Sequence, residues 1–360
     1  MNKTIIIAEA GVNHNGSLEL AFQLIDKAVD CGADIVKFQT FVTENLVTKN
    51  AKQAKYQVDN IGQETNQWQM LKELELNFEQ HIALKDYCTN KGIEYLSTAF
   101  DITSLNFLTK TLHLNKLKIP SGELTNLPFV LAHAEKGCDL IVSTGMATNK
   151  DIELALGAIA FGLLNTHGEP TIKAFNEAYQ SPLGKELLQQ KVILLHCTTE
   201  YPAPFDEINL NAMDKMKSNF SLPVGYSDHS AGIVVPIAAV AKGACILEKH
   251  FTLDKTMEGP DHKASVEPDE LARMIKSIRI TEKALGSSVK SPSPSEIENK
   301  AIVRKSIVAK IDIKQGDLLT QENLAIMRPG TGLEPKYYWE LLNTPAISSF
   351  KAGELIRGNV

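Results

Sequence analysis

The sequence predicts an α/β fold, a closed (β/α)8 barrel followed by a small β-rich module. Three observations predict it. Eight short runs rich in β-branched or apolar residues recur along the chain, and polar loop residues and then a segment of helical period follow each. Beyond about residue 302 the pattern changes to short strands separated by turn signals, with too few residues for another α/β unit.

The eight runs, in order, are TIIIAE (4–9), DIVKFQT (34–40), IEYLST (93–98), KLKIP (116–120), DLIVST (139–144), VILLHC (192–197), PVGYSD (223–228) and CILEKH (245–250). The first crossover, SLELAFQLIDKAVDCG, places Leu18, Phe22, Ile25 and Val29 on one helical face, and Gly32 stops it. Similar stretches occupy 78–91, 150–164, 209–219, 231–242 and 268–285. Alternating strands and helices imply a parallel sheet, and eight such units favour closure into a TIM barrel over an open sheet. An open doubly wound sheet calls for a Gly-rich phosphate turn after its first strand, and AEAGVNHNG is not GxGxxG. The segment 165–191 is longer than a barrel connection needs and reads as an insertion carrying an extra helix. The domain division is a catalytic barrel at 1–285, a Ser/Pro-rich linker at 286–302 and a small module at 303–360 with strands SIVAK, LAIMRP and AISSF.

A net charge of −6 argues against nucleic acid or an acidic membrane as the main partner, because both need a basic surface. Five scattered cysteines, with no CxxC pair, fit a reducing compartment. The apolar run in MNKTIIIAEAG is too short for a signal peptide, and Lys242 interrupts the best membrane-span candidate, so the expected location is the cytoplasm.

In a (β/α)8 enzyme the chemistry sits at the C-terminal ends of the strands. Those ends carry Glu9, Lys37, Gln39, Thr40, Ser97, Thr98, Lys118, Ser121, Glu123, Ser143, Thr144, His196, Ser227, Asp228, His229, Glu248 and His250. Lys37 and Lys118, with Thr98, Ser121, Ser143 and Thr144 as neutral donors, suit a phosphate or carboxylate. Glu9 and Glu123 are expected across the mouth from one another, placed for proton transfer or paired with the lysines. His229 and His250 end adjacent strands, so their rings can converge on one ion. Two imidazoles with oxygen ligands suit Mn²⁺, Fe²⁺, Co²⁺ or Zn²⁺ better than Ca²⁺. His14 and His262, in loops beside the mouth, are weaker candidates for substrate contact.

The motifs AEAGVNHNG, VKFQTF, LSTAFD, KIPSGE, STGMA, HCTTEYPAPF, GYSDHSAG, LEKHFTLD and GPDHKAS, followed by RPGTG, resemble the sialic acid synthase family from about residue 4 to 357. The resemblance implies a barrel followed by an antifreeze-like (SAF) domain, in a domain-swapped homodimer whose small domains cover the partners' sites. It implies condensation of phosphoenolpyruvate with an N-acylated mannosamine-type sugar, giving N-acetylneuraminate or N,N′-diacetyllegionaminate and phosphate. Carried onto this chain, His229 and His250 are the metal ligands, and Lys37, Thr98, Lys118, Ser121 and Ser143 hold phosphoenolpyruvate. Glu9 and Glu123 handle protons, Tyr201 and Asp261 bind sugar hydroxyls, and the partner protomer's Arg328 takes the N-acyl group. The cofactor expected is a divalent metal, Mn²⁺ first, with Mg²⁺ or Co²⁺ as alternatives. Ala99 stands where the family usually has Pro, and Thr199 where some members have Asn; the second departure leaves the acceptor sugar open. The rival readings are another phosphoenolpyruvate- or pyruvate-dependent sugar-acid synthase or aldolase, and a glycan- or ice-binding protein.

Overall fold

A computed structural model describes residues 3–53, 58, 66–165 and 168–357, so residues 166–167 of the insertion and the last three of the chain lie outside the described residues. Eight strands close in sequence order into a barrel: β1 Ile5–Gly11, β2 Ile35–Thr40, β3 Glu94–Ala99, β4 Lys116–Ile119, β5 Asp139–Ser143, β6 Val192–His196, β7 Val224–Asp228 and β8 Ile246–His250. Every expected run is a strand, with ends shifted by no more than two residues. All neighbours are parallel, and β8 pairs back onto β1 with Glu9 opposite His250.

Side chains alternate across a strand, so each strand gives one set of residues to the barrel axis and one to the helices. Ile7, Ile35, Leu96, Ile141, Leu195 and Ile246 form an apolar plug inside the barrel. Ile6, Ala8, Val36, Phe38, Leu140, Leu194 and Leu247 join the larger core with the helices. Two residues beyond the plug, on the same inward register, stand Glu9, Lys37, Thr98, Ser143 and Glu248. The floor of the mouth is therefore set by period-two alternation alone.

The Leu18–Cys31 helix is capped by Ser17, whose side chain accepts from the Leu20 N–H, and ends on left-handed Gly32. Its buried face is Ala21, Leu24, Ile25 and Ala28, rotated from the expected one. Leu18, Phe22 and Val29 are only half-buried at its flanks, because the small alanines bring this helix close to the sheet. The insertion holds two helices, Ile172–Gln180 and Pro182–Lys191, where one was expected. Ser181 breaks the run and caps the second helix, with Pro182 in its first turn. Short helices at Thr43–Leu46 and Gln67–Leu74, not read from the sequence, follow β2 and reach the site.

Ser287–Val360 forms a second compact unit with its own core, including Ile307, Leu319, Leu324, Phe350 and Ile356. In it β9, Ser306–Ala309, pairs antiparallel with β10, Leu324–Met327. AISSF is not a strand: it gives one isolated bridge, Phe350 to Ile313, and Pro345 before it has no N–H to extend a ladder. Within the stretch read as a linker, Pro294–Val303 is helical. Ser293 and Glu296 form a capping box there, a start signal that the Ser/Pro composition concealed.

Two histidines of the helical layer tie stability to pH. His81 shares a 2.9 Å hydrogen bond with the Tyr95 hydroxyl, and His133 Nδ1 donates to the Phe129 carbonyl at 2.9 Å. Burial pushes His81 down to about 3 and His133 down to about 4. Below pH 6.5 the unfolded chain therefore binds more protons than the folded one. The stability supplied by these neutral rings is complete above pH 6.5 and lost as pH falls toward 3–4. For His81 the loss at pH 4.5 is about 2–3 kcal/mol. His81→Leu is expected to flatten the fall of unfolding free energy between pH 6.5 and 4.5 by that amount in urea titrations. Equal slopes in variant and parent would count against it.

Candidate active site

The floor of the mouth is a buried set of two carboxylates and two lysines. Lys37 pairs directly with Glu9, and its Nζ lies 3.6 Å from Glu248. Lys118 Nζ is 3.5 Å from the same Glu248, which also accepts from Ser227 Oγ at 2.8 Å. Lys37 Nζ donates to Thr98 Oγ1 at 3.1 Å. Burial pushes the Glu9 carboxyl well up, with Glu248 adding to the rise and Lys37 opposing it. Burial pushes Glu248 up as well, but Lys118 and Lys37 together outweigh it and hold that carboxyl well below its ordinary range. Burial lowers Lys118, whereas on Lys37 the Glu248 and Glu9 carboxylates overcome burial and raise it. With Glu248 ionised and Glu9 drawn toward its neutral form, the floor carries surplus positive charge and is disposed to receive an anion.

A second wall is aromatic and imidazole. His229 Nδ1 donates to the Thr198 carbonyl at 2.6 Å, which leaves Nε2 as the lone-pair nitrogen, and the Tyr201 hydroxyl donates to it at 3.1 Å. The His229 and His250 rings lie 5.5 Å apart between centroids, and the Tyr201 ring stacks on His229 at 4.1 Å. His250 Nδ1 is buried, has no hydrogen-bond partner, and lies 3.9 Å from an Asp261 carboxylate oxygen. Burial lowers His229 to about 4 and His250 well below its usual value, and it pushes Asp261 up to about 6. Neutral imidazoles fit a borderline divalent ion, through the unpartnered Nδ1 of His250 and the Nε2 of His229 once the Tyr201 hydroxyl turns away from it. Among the described residues no three His, Cys, Asp or Glu side chains converge as a metal cage, so such an ion would have two protein nitrogens and open positions.

The two histidines are fixed from behind. Asp228 and Lys249, their sequence neighbours, point out of the barrel and form a fully buried ion pair of 2.6 Å between β7 and β8. Asp228 also accepts from the Ser230 N–H at 3.0 Å, and Lys249 donates to the Ser230 carbonyl. The backbone on both sides of His229 is thereby clamped to the strand that carries His250.

Glycines make room at two points. Gly11 has φ +53°, and a Cβ there would meet Glu9 Oε1 at 3.2 Å and His250 Cε1 at 3.5 Å. Gly145 donates its N–H to Ser121 Oγ at 3.0 Å, and a Cβ on it would sit 2.1 Å from Thr199 Oγ1.

One cavity of about 330 Å³, within the usual range for small-ligand sites, is lined by Glu9, Lys37, Thr98, Lys118, Ser121, Glu123, Ser143, Tyr201, His229, His250 and Asp261. Glu123 differs from expectation: it sits on the rim in a short 3-10 turn, its carboxylate accepting from Asn126 at 2.7 Å, and the carboxylate that acts on Glu9 is Glu248. His14 and His262 are absent from the lining. His14 Nδ1 accepts from the Gly16 N–H, and His262 bonds Thr252 and Asn15, so the loops after β1 and β8 are tied together. His196 turns outward to the Ile208 carbonyl at 2.7 Å. Arg328 is an exposed residue of the second unit, its Nε donating to the Val303 carbonyl at 3.0 Å. Sequence reasoning gave no role to Glu248, although its spacing of two from His250 put both on the inward face. It also missed an apolar part of the lining that includes Met70, Leu71 and Leu74.

Fold and site together define a (β/α)8-barrel enzyme whose floor carries surplus positive charge beside two neutral imidazoles. Residues 24–290 match the NeuB family and residues 304–359 the SAF domain. The chain belongs to the NeuB family. It is 47% identical to the N,N'-diacetyllegionaminic acid synthase of Campylobacter jejuni subsp. jejuni serotype O:2, over 99% of this chain and 100% of that protein. It is 42% identical to the synthase of the same name from Legionella pneumophila subsp. pneumophila, over 97% and 92%. A crystal structure of N-acetylneuraminic acid synthetase from Leptospira borgpetersenii serovar Hardjo-bovis, in complex with citrate, matches with TM-score 0.65 and 34% identity, over 83% of this chain and 90% of that one. No helix among the described residues is long and apolar enough to cross a membrane.

Proposed function

We propose that this nonulosonic acid synthase condenses phosphoenolpyruvate with 2,4-diacetamido-2,4,6-trideoxymannose, giving N,N′-diacetyllegionaminate and phosphate. The observation that carries the reaction class is the anion-receptive floor facing the imidazole wall in one cavity. The acceptor is supported by the 47% and 42% identity to two proteins named for that product, against 34% to the N-acetylneuraminic acid synthetase. N-acetylmannosamine, giving N-acetylneuraminate, is the second reading.

Carbon C3 of phosphoenolpyruvate attacks the open-chain aldehyde, water adds at C2, and phosphate leaves by C–O cleavage. Lys37 and Lys118, with Thr98, Ser121 and Ser143, bind and orient the phosphate and carboxylate. Ser143 Oγ is buried without a hydrogen-bond partner, as a donor reserved for a ligand would be. Glu9, drawn toward its neutral form beside Lys37, holds a proton at the floor, and Glu123 exchanges one at the rim. Tyr201 and Asp261 take sugar hydroxyls. A divalent metal on His229 and His250, Mn²⁺ first with Mg²⁺ or Co²⁺ as alternatives, would supply Lewis-acid polarisation of the aldehyde oxygen. Arg328 would reach the N-acyl group from the partner protomer of a domain-swapped dimer. The same reading assigns the enzyme to the cytoplasm, where its five free thiols stay reduced.

Mass spectrometry of products from the two sugars in competition, with phosphoenolpyruvate and Mn²⁺, tests the reading. The expected result is N,N′-diacetyllegionaminate as the main product; absence of phosphate release with any mannosamine derivative sinks the synthase reading. EDTA should abolish turnover and borohydride leave it intact, the reverse of a Schiff-base aldolase. His250→Ala is expected to lower metal-dependent turnover by roughly 100-fold or more, since even outer partners of metal ligands are worth 10–100-fold. Retained Mn²⁺ affinity in that variant would refute the ligand assignment.

A further inference from the structure

Part of the cavity has no use in the chemistry described. Val12 from the loop after β1, Val47 after β2, Met70, Leu71 and Leu74 from the Gln67–Leu74 helix, and Phe100 after β3 make an apolar wall of the same cavity. The wall has its own core: Val12, Phe41, Met70 and Leu74 are buried together, with Leu71 and Phe100 packed against them. It is also anchored. Glu75, just past the helix, accepts from both the N–H and the hydroxyl of Thr43, at 2.9 and 2.6 Å, and Asn66 caps the helix start. Among the described residues, the Gln67–Leu74 helix gives the cavity only one polar side chain, Gln67.

Phosphoenolpyruvate, with a phosphate and a carboxylate, gains nothing from such a surface. Nor does a fully hydroxylated sugar chain, whose hydroxyls would lose water there without finding partners. Since the aldehyde is held at the imidazoles, the C4–C6 end of the acceptor is what meets the remaining lining. We infer that the wall formed by Val47, Met70, Leu71 and Leu74 is the specificity determinant of the acceptor, reading the C6 methyl and the 4-acetamido methyl of a 2,4-diacetamido-6-deoxy sugar. This rests on the acceptor proposed above and adds the residues that select it.

The test compares kcat/KM for 2,4-diacetamido-2,4,6-trideoxymannose and for N-acetylmannosamine in the parent, in Leu71→Gln and in the near-isosteric Val47→Thr. A ratio taken within one protein is unaffected by partial loss of folded enzyme, and Val47→Thr serves if Leu71→Gln does not fold. One methyl-sized contact discriminates by about 10- to 200-fold. The parent ratio should therefore favour the diacetamido sugar and fall by roughly 10-fold or more in Leu71→Gln, with a smaller fall in Val47→Thr. A parent preference that survives unchanged in both variants overturns the wall and leaves the acceptor reading standing. A parent that prefers N-acetylmannosamine overturns both.

Discussion

Lys118→Met is expected to cost roughly 10³-fold in kcat/KM for phosphoenolpyruvate, since on the proposed assignment Lys118 meets both the phosphate and the carboxylate and two charge-assisted contacts of about 2 kcal/mol each would be lost together. The damage extends beyond the ligand. Lys118 is the larger of the two influences that hold the Glu248 carboxyl down, with Lys37 second. Without it burial is opposed by Lys37 and Ser227 but no longer by Lys118, so Glu248 moves up from its depressed range, and proton uptake there offsets part of the positive charge lost with the lysine. Calorimetric titration of phosphoenolpyruvate into the metal-loaded variant should show binding lost while the circular dichroism spectrum is kept. Turnover within about 10-fold of the parent would mean that Lys118 is not part of the anion site.

Lys249→Met is the second large effect, and it is one of stability. It strands Asp228 as an uncompensated buried charge, and breaking a buried pair in this way costs about 3–5 kcal/mol. Removing both charges in Asp228→Leu/Lys249→Met should restore much of that loss in urea unfolding, because the desolvation cost goes with them. Metal affinity should not recover in parallel. Asp228 also holds the Ser230 N–H, and without that clamp the backbone after His229 loses a tie to the strand that carries His250. A double variant as unstable as the single one would show that the pair is not the seat of the effect.

The barrel was legible because a buried parallel strand must be apolar on both faces until it reaches the mouth, so polar residues within a strand mark its end. Glu9, Lys37, Lys118 and His250 were found that way. Glu248 stood among the strand-end residues but received no role, because the two carboxylates singled out were Glu9 and Glu123. Only the alternation of faces separates Glu248, turned inward to Lys37 and Lys118, from Lys249, turned outward to Asp228. The Gln67–Leu74 helix was missed for another reason. It is an addition to the βα repeat, and its apolar residues face a cavity and a small local cluster. Their spacing therefore carried no sign of the main core. The helix at Pro294–Val303 was hidden by composition, since Ser and Pro serve a helix start as well as they serve a linker.

The ring of Ile7, Ile35, Leu96, Ile141, Leu195 and Ile246 closes the barrel beneath the floor. On the proposed assignment two substrates therefore share one doorway, with the anion on the buried Lys37 and Lys118 of the floor and the sugar at Tyr201 and Asp261. On that assignment a sugar that arrived first would bar the way, so the expected order is phosphoenolpyruvate into the empty enzyme and the sugar behind it.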